Sequence, residues 1–290
     1  MNGLLIVDKP AGITSHDVVA KIRKLTGESS VGHLGTLDPM ATGVLPLLLG
    51  RFTRLAQFFQ DGKRYTGTIR FGYVTDTYDA DGDRVGVCKD PNLTIAEICN
   101  LAQKFRGEID QIPPPFSAKK LQGVPAYKLA RAGKPVELRS VRIEIHQFEI
   151  TGYDPPDASF LVDVSSGGYI RSIAHDLGQQ AGCGAHLAAL RRVRAGEFTI
   201  EQAATLEQIV EWVRDGSFPE HLPHPRLLLP QMPSVTVDMG TATHLKNGTA
   251  RNLPDYSDAP LVKIFTNQNE LFAIGRRVAG TLIQPKIVIG

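Results

Sequence analysis

Apolar residues recur at every second position in several separate stretches, and that period limits the chain to a fold built on mostly antiparallel strands with unlike faces. Tyr65, Ile69, Phe71 and Tyr73 share one face of such a strand. Val141, Ile143 and Ile145 mark a second, and Leu161 and Val164 a third, with Gly152, Asp154, Pro155 and Pro156 as the turn between them. Other stretches keep the helical period. Val18, Val19, Ile22 and Leu25 follow Ser15, which can cap a helix, and precede Gly27, which can end one. Thr94 and Glu97 form a capping box ahead of Ile95, Ile98, Leu101 and Phe105, with Gly107 as the stop. Short amphipathic spacing over 51–59 and a helical run over 170–181 complete the set. Strands and helices do not alternate in a βαβ rhythm, so the expected class is α+β: a large mixed, mostly antiparallel sheet flanked by helices.

A chain of 290 residues with 42% hydrophobic content can fill one large core with a small unit attached. The polar, proline-dense stretch 215–230 predicts a division into 1–228 and 229–290, the latter holding short β-like runs that suit a small barrel. Segment 111–139, with three consecutive prolines and several lysines, reads as an inserted surface excursion. Cys88, Cys99 and Cys183 are odd in number and lack C-x-x-C spacing, which argues against a disulfide framework and a zinc site. No apolar run is long enough to span a membrane, and residues 1–10 do not read as a secretory leader, so a cytoplasmic location without membrane association is expected. A net charge of +2 does not announce a polyanion by itself. Lys and Arg nevertheless cluster at 21–24, 63–64, 119–128, 191–194 and 276–277, which suits one if several clusters share a surface.

The stretch that could carry chemistry is Gly32-His33-Leu34-Gly35-Thr36-Leu37-Asp38-Pro39-Met40-Ala41-Thr42-Gly43. An aspartate before proline is by itself a turn residue. Here the glycines admit a ligand close to the backbone, and Leu37, Val44 and Leu45 could hold the Asp38 carboxylate against a dry wall. His33 could be a base or a hydrogen-bonded structural residue, and no acid–base role is assigned to it. Asp79, Asp81 and Asp83 begin like a calcium loop, but Arg84 stands where glycine is needed and Asp90 where glutamate is needed, so no metal site is expected.

The string over 32–45, G-H-x-G-x-L-D-P-x-A-T-G-V-L, resembles the catalytic motif of the TruB family, the bacterial tRNA pseudouridine-55 synthases. The resemblance continues through Lys9-Pro10, Lys63-Arg64-Tyr65, the run from Thr75 to Gly82, the run from Pro113 to Lys120, and Gly168-Tyr169-Ile170-Arg171-Ser172, covering roughly the first 195 residues. It implies the pseudouridine synthase fold followed by a small PUA-like RNA-binding barrel. It also implies isomerisation of uridine 55 in the tRNA T-loop to pseudouridine, with Asp38 attacking the ribose C1′ or the uracil C6 and with no cofactor. Tyr65 matches the tyrosine that stacks on uracil, although its alternating position also fits a plain core aromatic. Arg171 matches the arginine that pairs with the aspartate, and such a neighbour is expected to lower the Asp38 pKa by about 1 to 3 units. By the same resemblance Lys9, His33, Asp79, Lys119, Tyr169, Leu190, Arg191 and Arg192 are expected at the substrate. Leu190 also suits a core, and the two arginines suit phosphate. The T-arm of tRNA is the implied partner, met by a monomer without an obligate protein partner. Two readings compete with this one: an RNA-binding or tRNA-folding protein without catalysis, and a glycosidase using Asp38 with Asp79 as its two carboxylates.

Overall fold

The structure is a computed structural model that describes residues 1–59, 62–117, 120–121, 124–125 and 138–290. Its body is one nine-stranded sheet. The strands that position the site are β1 (Gly3–Lys9), β2 (Val31–His33), β3 (Thr42–Leu49), β4 (Lys63–Phe71), β5 (Gly107–Gln111), β6 (Val141–Asp154), β7 (Asp157–Val164) and β8 (Ala185–Ala195). They run in the order β1-β3-β8-β4-β7-β6-β5, with β2 on the edge of β3. Every neighbouring pair is antiparallel except β8 with β3, which pair in parallel at Arg191 with Thr42 and Arg192 with Gly43. The sheet is therefore mixed and mostly antiparallel, as the alternating pattern predicts.

One face of the sheet carries helices α1 (Ser15–Thr26), α2 (Ile95–Gln103), α3 (Ile170–Gln180) and α4 (Leu206–Asp215). Tyr65, Ile69 and Phe71 from β4 enter the core beneath them with Ile143 and Ile145 from β6. On β7 the inward residues are Phe160, Val162 and Val164, so Leu161, read from the sequence as inward, points the other way. Helix α1 is capped by Thr14, one residue before Ser15, because Thr14 and Asp17 form a capping box. Ser15, wholly buried, bonds elsewhere. Gly27 ends α1 in the left-handed conformation, and Thr94 with Glu97 starts α2, both as expected. Residues 50–58 form a 3₁₀ helix in place of the expected α-helical turn.

β1 and β3 are buried on both faces, which explains their near-continuous apolar runs. Leu5, Val7, Leu45, Leu47 and Leu49 face the helix side. Leu4, Ile6, Val44 and Leu48 face a second core completed by Phe265, Leu271, Ile274, Ile287 and Ile289. The latter come from a five-stranded C-terminal sheet of Ser234–Thr236, Leu261–Phe265, Leu271–Ala279, Leu282–Val288 and Arg251–Asn252, in that spatial order, with helix α5 (Met239–Lys246) beside it. This curled half-barrel shares its core with the body, and the stretch before it forms short 3₁₀ turns at Phe218–His221, where Phe218 is buried in the helix-side core, and at Pro225–Leu227. Among the described residues no helix is long and apolar enough to cross a membrane.

Helix α3 approaches β8 most closely at Gly178, where a Cβ would lie 2.1 Å from the backbone nitrogen of Ala185. Backbone cannot yield as a side chain can. Gly178→Ala is expected to lower stability by about 3 kcal/mol, read as a lower midpoint in urea unfolding.

Candidate active site

The loop over 34–41 has almost no regular structure of its own, so its shape comes from groups that bond its carbonyls. Arg192, at the end of β8, has no exposed surface. Its Nε donates to Val44 O at 2.7 Å, Nη2 to Gly35 O at 3.0 Å and Nη1 to Thr36 O at 3.4 Å. Ser15 accepts from Leu37 N at 2.8 Å and lies 3.1 Å from Leu37 O as a donor. Lys9, also without exposed surface, donates to Pro10 O, Ile13 O and Pro39 O at 2.7–3.2 Å. Burial holds its ammonium down at about 8. Gly43 closes the loop at a φ of 101°, where a Cβ would sit 2.2 Å from the Arg192 carbonyl oxygen. Each end of the loop is thus fixed to the strand or helix beneath it.

This framework presents Asp38 to Arg171, in the first turn of α3. Arg171 Nη2 donates to Asp38 Oδ1 at 3.1 Å, and Nε lies 2.9 Å from Oδ2. Nη1 lies 3.4 Å from Asp79 Oδ2 and donates to Thr77 O at 3.2 Å, while Nη2 also reaches Phe116 O at 3.1 Å. A cation at a helix N-terminus is opposed by the helix dipole, and two carboxylates offset that cost. They differ in access: the Asp38 side chain is 36% exposed, the Asp79 side chain 6%. Asp79 is further held by Thr77 Oγ1 at 2.5 Å and by Asp81 N at 3.1 Å. It does not reach the pocket, so the paired-carboxylate arrangement of a glycosidase is not formed.

Asp38 opens on a pocket of about 500 Å³ whose wall includes Leu37, Tyr65, Phe116, Tyr169, Ile170 and Leu190, with Lys63, Ser117, Ser166 and Arg171 as polar groups. That volume is ordinary for a small-molecule-sized site. The apolar wall is assembled from two strands, two loops and the start of α3; of the residues expected in it, Val44 faces the C-terminal sheet and Leu45 the helix-side core instead. Burial pushes the Asp38 carboxyl above the ordinary carboxylate range, with Asp79 adding to the rise and Arg171 opposing it. The expected net lowering by Arg171 is therefore corrected: desolvation outweighs the guanidinium. Burial likewise pushes the Tyr65 phenol up, against the pull of Arg192, and keeps it neutral.

The sequence-predicted residues divide. Asp38, Tyr65, Tyr169, Leu190 and Arg171 meet at the pocket. Asp79 stands behind Arg171. Lys9 and Arg192 lie under the loop, bound to carbonyls, and have no surface to offer a phosphate. Arg191 pairs with Asp8 through both terminal nitrogens, at 3.0 and 2.7 Å. Arg64 and Arg194 share Asp163. Arg192 is thus an internal tie, whereas Arg64, Arg191 and Arg194 are partly exposed and each is paired with a carboxylate. His33 lies on β2 outside the pocket wall; burial pushes its pKa down and its Nδ1 has no partner among the described residues. Lys119 lies outside the described residues. Among the described residues, no group of three or more His, Cys, Asp and Glu side chains is placed to hold a metal ion.

Sequence reasoning missed Ser15, taken for a cap, and Gln111, taken for the start of a surface excursion. Gln111 is buried, accepts from Tyr169 N at 2.7 Å and donates to Tyr169 O at 3.0 Å, which seats the start of α3. Pro113, Pro114 and Ser117 are buried beside it. The three prolines were the available signal, since a rigid segment can be docked as readily as it can protrude.

Comparison with known proteins places the chain in a family. Residues 23–170 match the TruB family pseudouridylate synthase N-terminal domain, and residues 171–231 match the tRNA pseudouridylate synthase B C-terminal domain. The chain belongs to the TruB family of pseudouridylate synthases. It is 43% identical to the tRNA pseudouridine synthase B of Solibacter usitatus and 38% identical to that of Aquifex aeolicus, each alignment covering 100% of both chains. Among solved structures it resembles a chain of a Cbf5-Nop10-Gar1 complex at a TM-score of 0.70 and 28% identity, over 99% of this chain and 85% of that one. A chain from an H/ACA RNP bound to a substrate RNA containing 2′-deoxyuridine matches at a TM-score of 0.70 and 27% identity, with the same coverage. The two family domains meet between Ile170 and Arg171, and the second ends at residue 231, just before the C-terminal sheet begins at Ser234.

Arg192→Met keeps the apolar stem and deletes the donors, leaving the carbonyls of Gly35, Thr36 and Val44 without them. The expected loss is about 3 kcal/mol, measured by urea unfolding, with faster proteolysis in the Asp38 loop. Arg191→Ala, at a partly exposed pair, is expected to cost no more than about 1 kcal/mol.

Proposed function

We propose that this chain isomerises uridine 55 in the T-loop of tRNA to pseudouridine, with Asp38 as the attacking group. The observation that carries the reading is the asymmetry of the two carboxylates on Arg171: only Asp38 opens on the pocket. The name tRNA pseudouridine synthase B borne by the full-length relatives supports tRNA as substrate, and the RNA-bound neighbour supports a nucleic acid at this face.

The uridine must leave its stack to enter, at a cost of a few kcal/mol. The Tyr65 ring and the apolar side chains of Leu37 and Leu190 offset part of that cost. An ionised Asp38 oxygen then attacks C1′ as the N1–C1′ bond breaks, or adds to C6 of the uracil; either route needs the same carboxylate, oriented by Arg171. The freed base turns and C5 bonds to C1′ as the bond between C1′ and the Asp38 oxygen breaks, or, on the C6 route, before the Asp38 oxygen is eliminated from C6; the proton on C5 is lost, N1 gains one, and the carboxylate is restored. Atoms and electrons balance within the nucleotide, so no co-reactant is consumed. Asp79 and Thr77 hold the guanidinium from behind, and His33, on β2 outside the pocket wall, takes up the space in the RNA that the flipped base leaves. Residues 1–228 form the catalytic unit in this reading, and residues 229–290 a PUA-like surface that adds RNA contacts. The chain acts on tRNA in the cytoplasm as a monomer.

Asp38→Asn keeps the shape and removes the charge. It is expected to lower pseudouridine formation at least about a thousandfold while leaving tRNA affinity within about tenfold, read by carbodiimide treatment and primer extension on unmodified tRNA. Product formation by the variant at the wild-type rate would end the proposal; absence of product with wild-type enzyme would favour a tRNA-binding protein without catalysis.

The raised Asp38 pKa gives a pH dependence. The attacking form is the ionised one, so activity is present above the pKa and is lost as pH falls through it. The acid limb of kcat/KM is expected above the ordinary aspartate value of about 3.9. Arg171→Met removes the group that opposes the rise and should move the limb to higher pH in the residual activity. A limb at or below the ordinary value, unmoved in the variant, would refute the assignment.

A further inference from the structure

One turn after Arg171, the same side of α3 carries His175. Its ring stacks on Tyr78 with centroids 3.8 Å apart and planes 14° from parallel. Tyr78 has a φ of 65°, a left-handed conformation that a bulky side chain seldom adopts and that glycine accepts freely. Its backbone duties need no ring: Tyr78 N donates to Thr75 O at 3.2 Å and Tyr78 O accepts from Leu187 N at 3.0 Å. On backbone grounds the position favours glycine, so the presence of tyrosine calls for a use of its ring. The ring's stacking partner is His175, whose Nδ1 is buried without a hydrogen-bond partner among the described residues. Burial keeps that imidazole neutral, so it contributes a flat face and not a charge.

The position of the stack gives it leverage. Tyr78 lies between Thr77, whose carbonyl accepts from Arg171 Nη1, and Asp79, whose carboxylate lies against the same nitrogen. A slide of this turn along α3 would move both anchors together and draw the guanidinium away from Asp38.

We propose that Tyr78 and His175 are positioning residues for the reaction: their stacked rings fix the register of the 75–83 turn against α3 and so set the angle at which Arg171 meets Asp38. The inference rests on the reading of Asp38 given above. Neither ring is on the wall of the pocket, so any effect on rate must pass through Arg171.

The test compares wild type with Tyr78→Gly, Tyr78→Phe and His175→Ala in steady-state pseudouridine formation on unmodified tRNA, with tRNA affinity and thermal unfolding measured alongside. Tyr78→Gly suits the local φ and should fold. It is expected to lower kcat by about tenfold to a hundredfold, with KM and tRNA Kd within about twofold of wild type. Tyr78→Phe keeps the ring face and is expected to stay within about twofold of the wild-type kcat. His175→Ala should reproduce the glycine variant; should it fail to fold, the contrast between the two Tyr78 variants decides. Wild-type kcat in folded Tyr78→Gly, or a Phe variant as slow as the Gly variant, would overturn the positioning role. Activity in Asp38→Asn would instead sink the reading of Asp38, so the two failures are distinguishable.

Discussion

A guanidinium sealed from solvent decides where the functional loop lies. Burying the charge of Arg192 is tolerable only if its donors are met, and the acceptors it finds are the carbonyls of Gly35, Thr36 and Val44. The strand that carries Arg192 is the one strand in the body that pairs in parallel with β3, so the loop preceding β3 is brought over its end. Lys9 and Ser15 secure the other side by the same means. A stretch with little regular structure is thereby tied at both ends to the elements beneath it, which suits a group that must meet a reacting atom at a fixed distance.

The second arginine works in the opposite sense. Arg171 is buried among carboxylates and carbonyls, and of its two acidic neighbours one is locked away and the other left accessible. Asp79 and Thr77 immobilise the cation, and the cation then orients Asp38. The desolvated setting that raises the Asp38 pKa also weakens the hydration of the ionised form, a condition that favours attack by a carboxylate over its rest in water.

Much of this was legible from residue order. Capping boxes at Thr94 and the glycine after α1 are local chemistry, and period-two alternation in β4 and β6 reports directly which face is dry. Local reading failed where the deciding partner is remote in sequence. Ser15 looks like a cap until Leu37 is brought to it, and Arg192 looks like a phosphate-binding group until the sheet sets the loop carbonyls against it. Leu161 was placed on the wrong face because its neighbours Phe160 and Val162 are also apolar and the alternation is blurred there. Asp38 itself was found through its motif, whereas the direction of its pKa depended on how much water the distant walls exclude, which no spacing encodes.

The two-faced burial of β1 and β3 has a mechanical corollary. With dry packing on either side of a single strand layer, the C-terminal half-barrel and the helix-covered body share β1 and β3 as a common wall. A macromolecule seated on the half-barrel therefore rests against the same strand whose start, at Thr42, closes the Asp38 loop. A substitution on the inner face of the half-barrel must therefore still fit the shape of Leu4, Ile6 and Leu48.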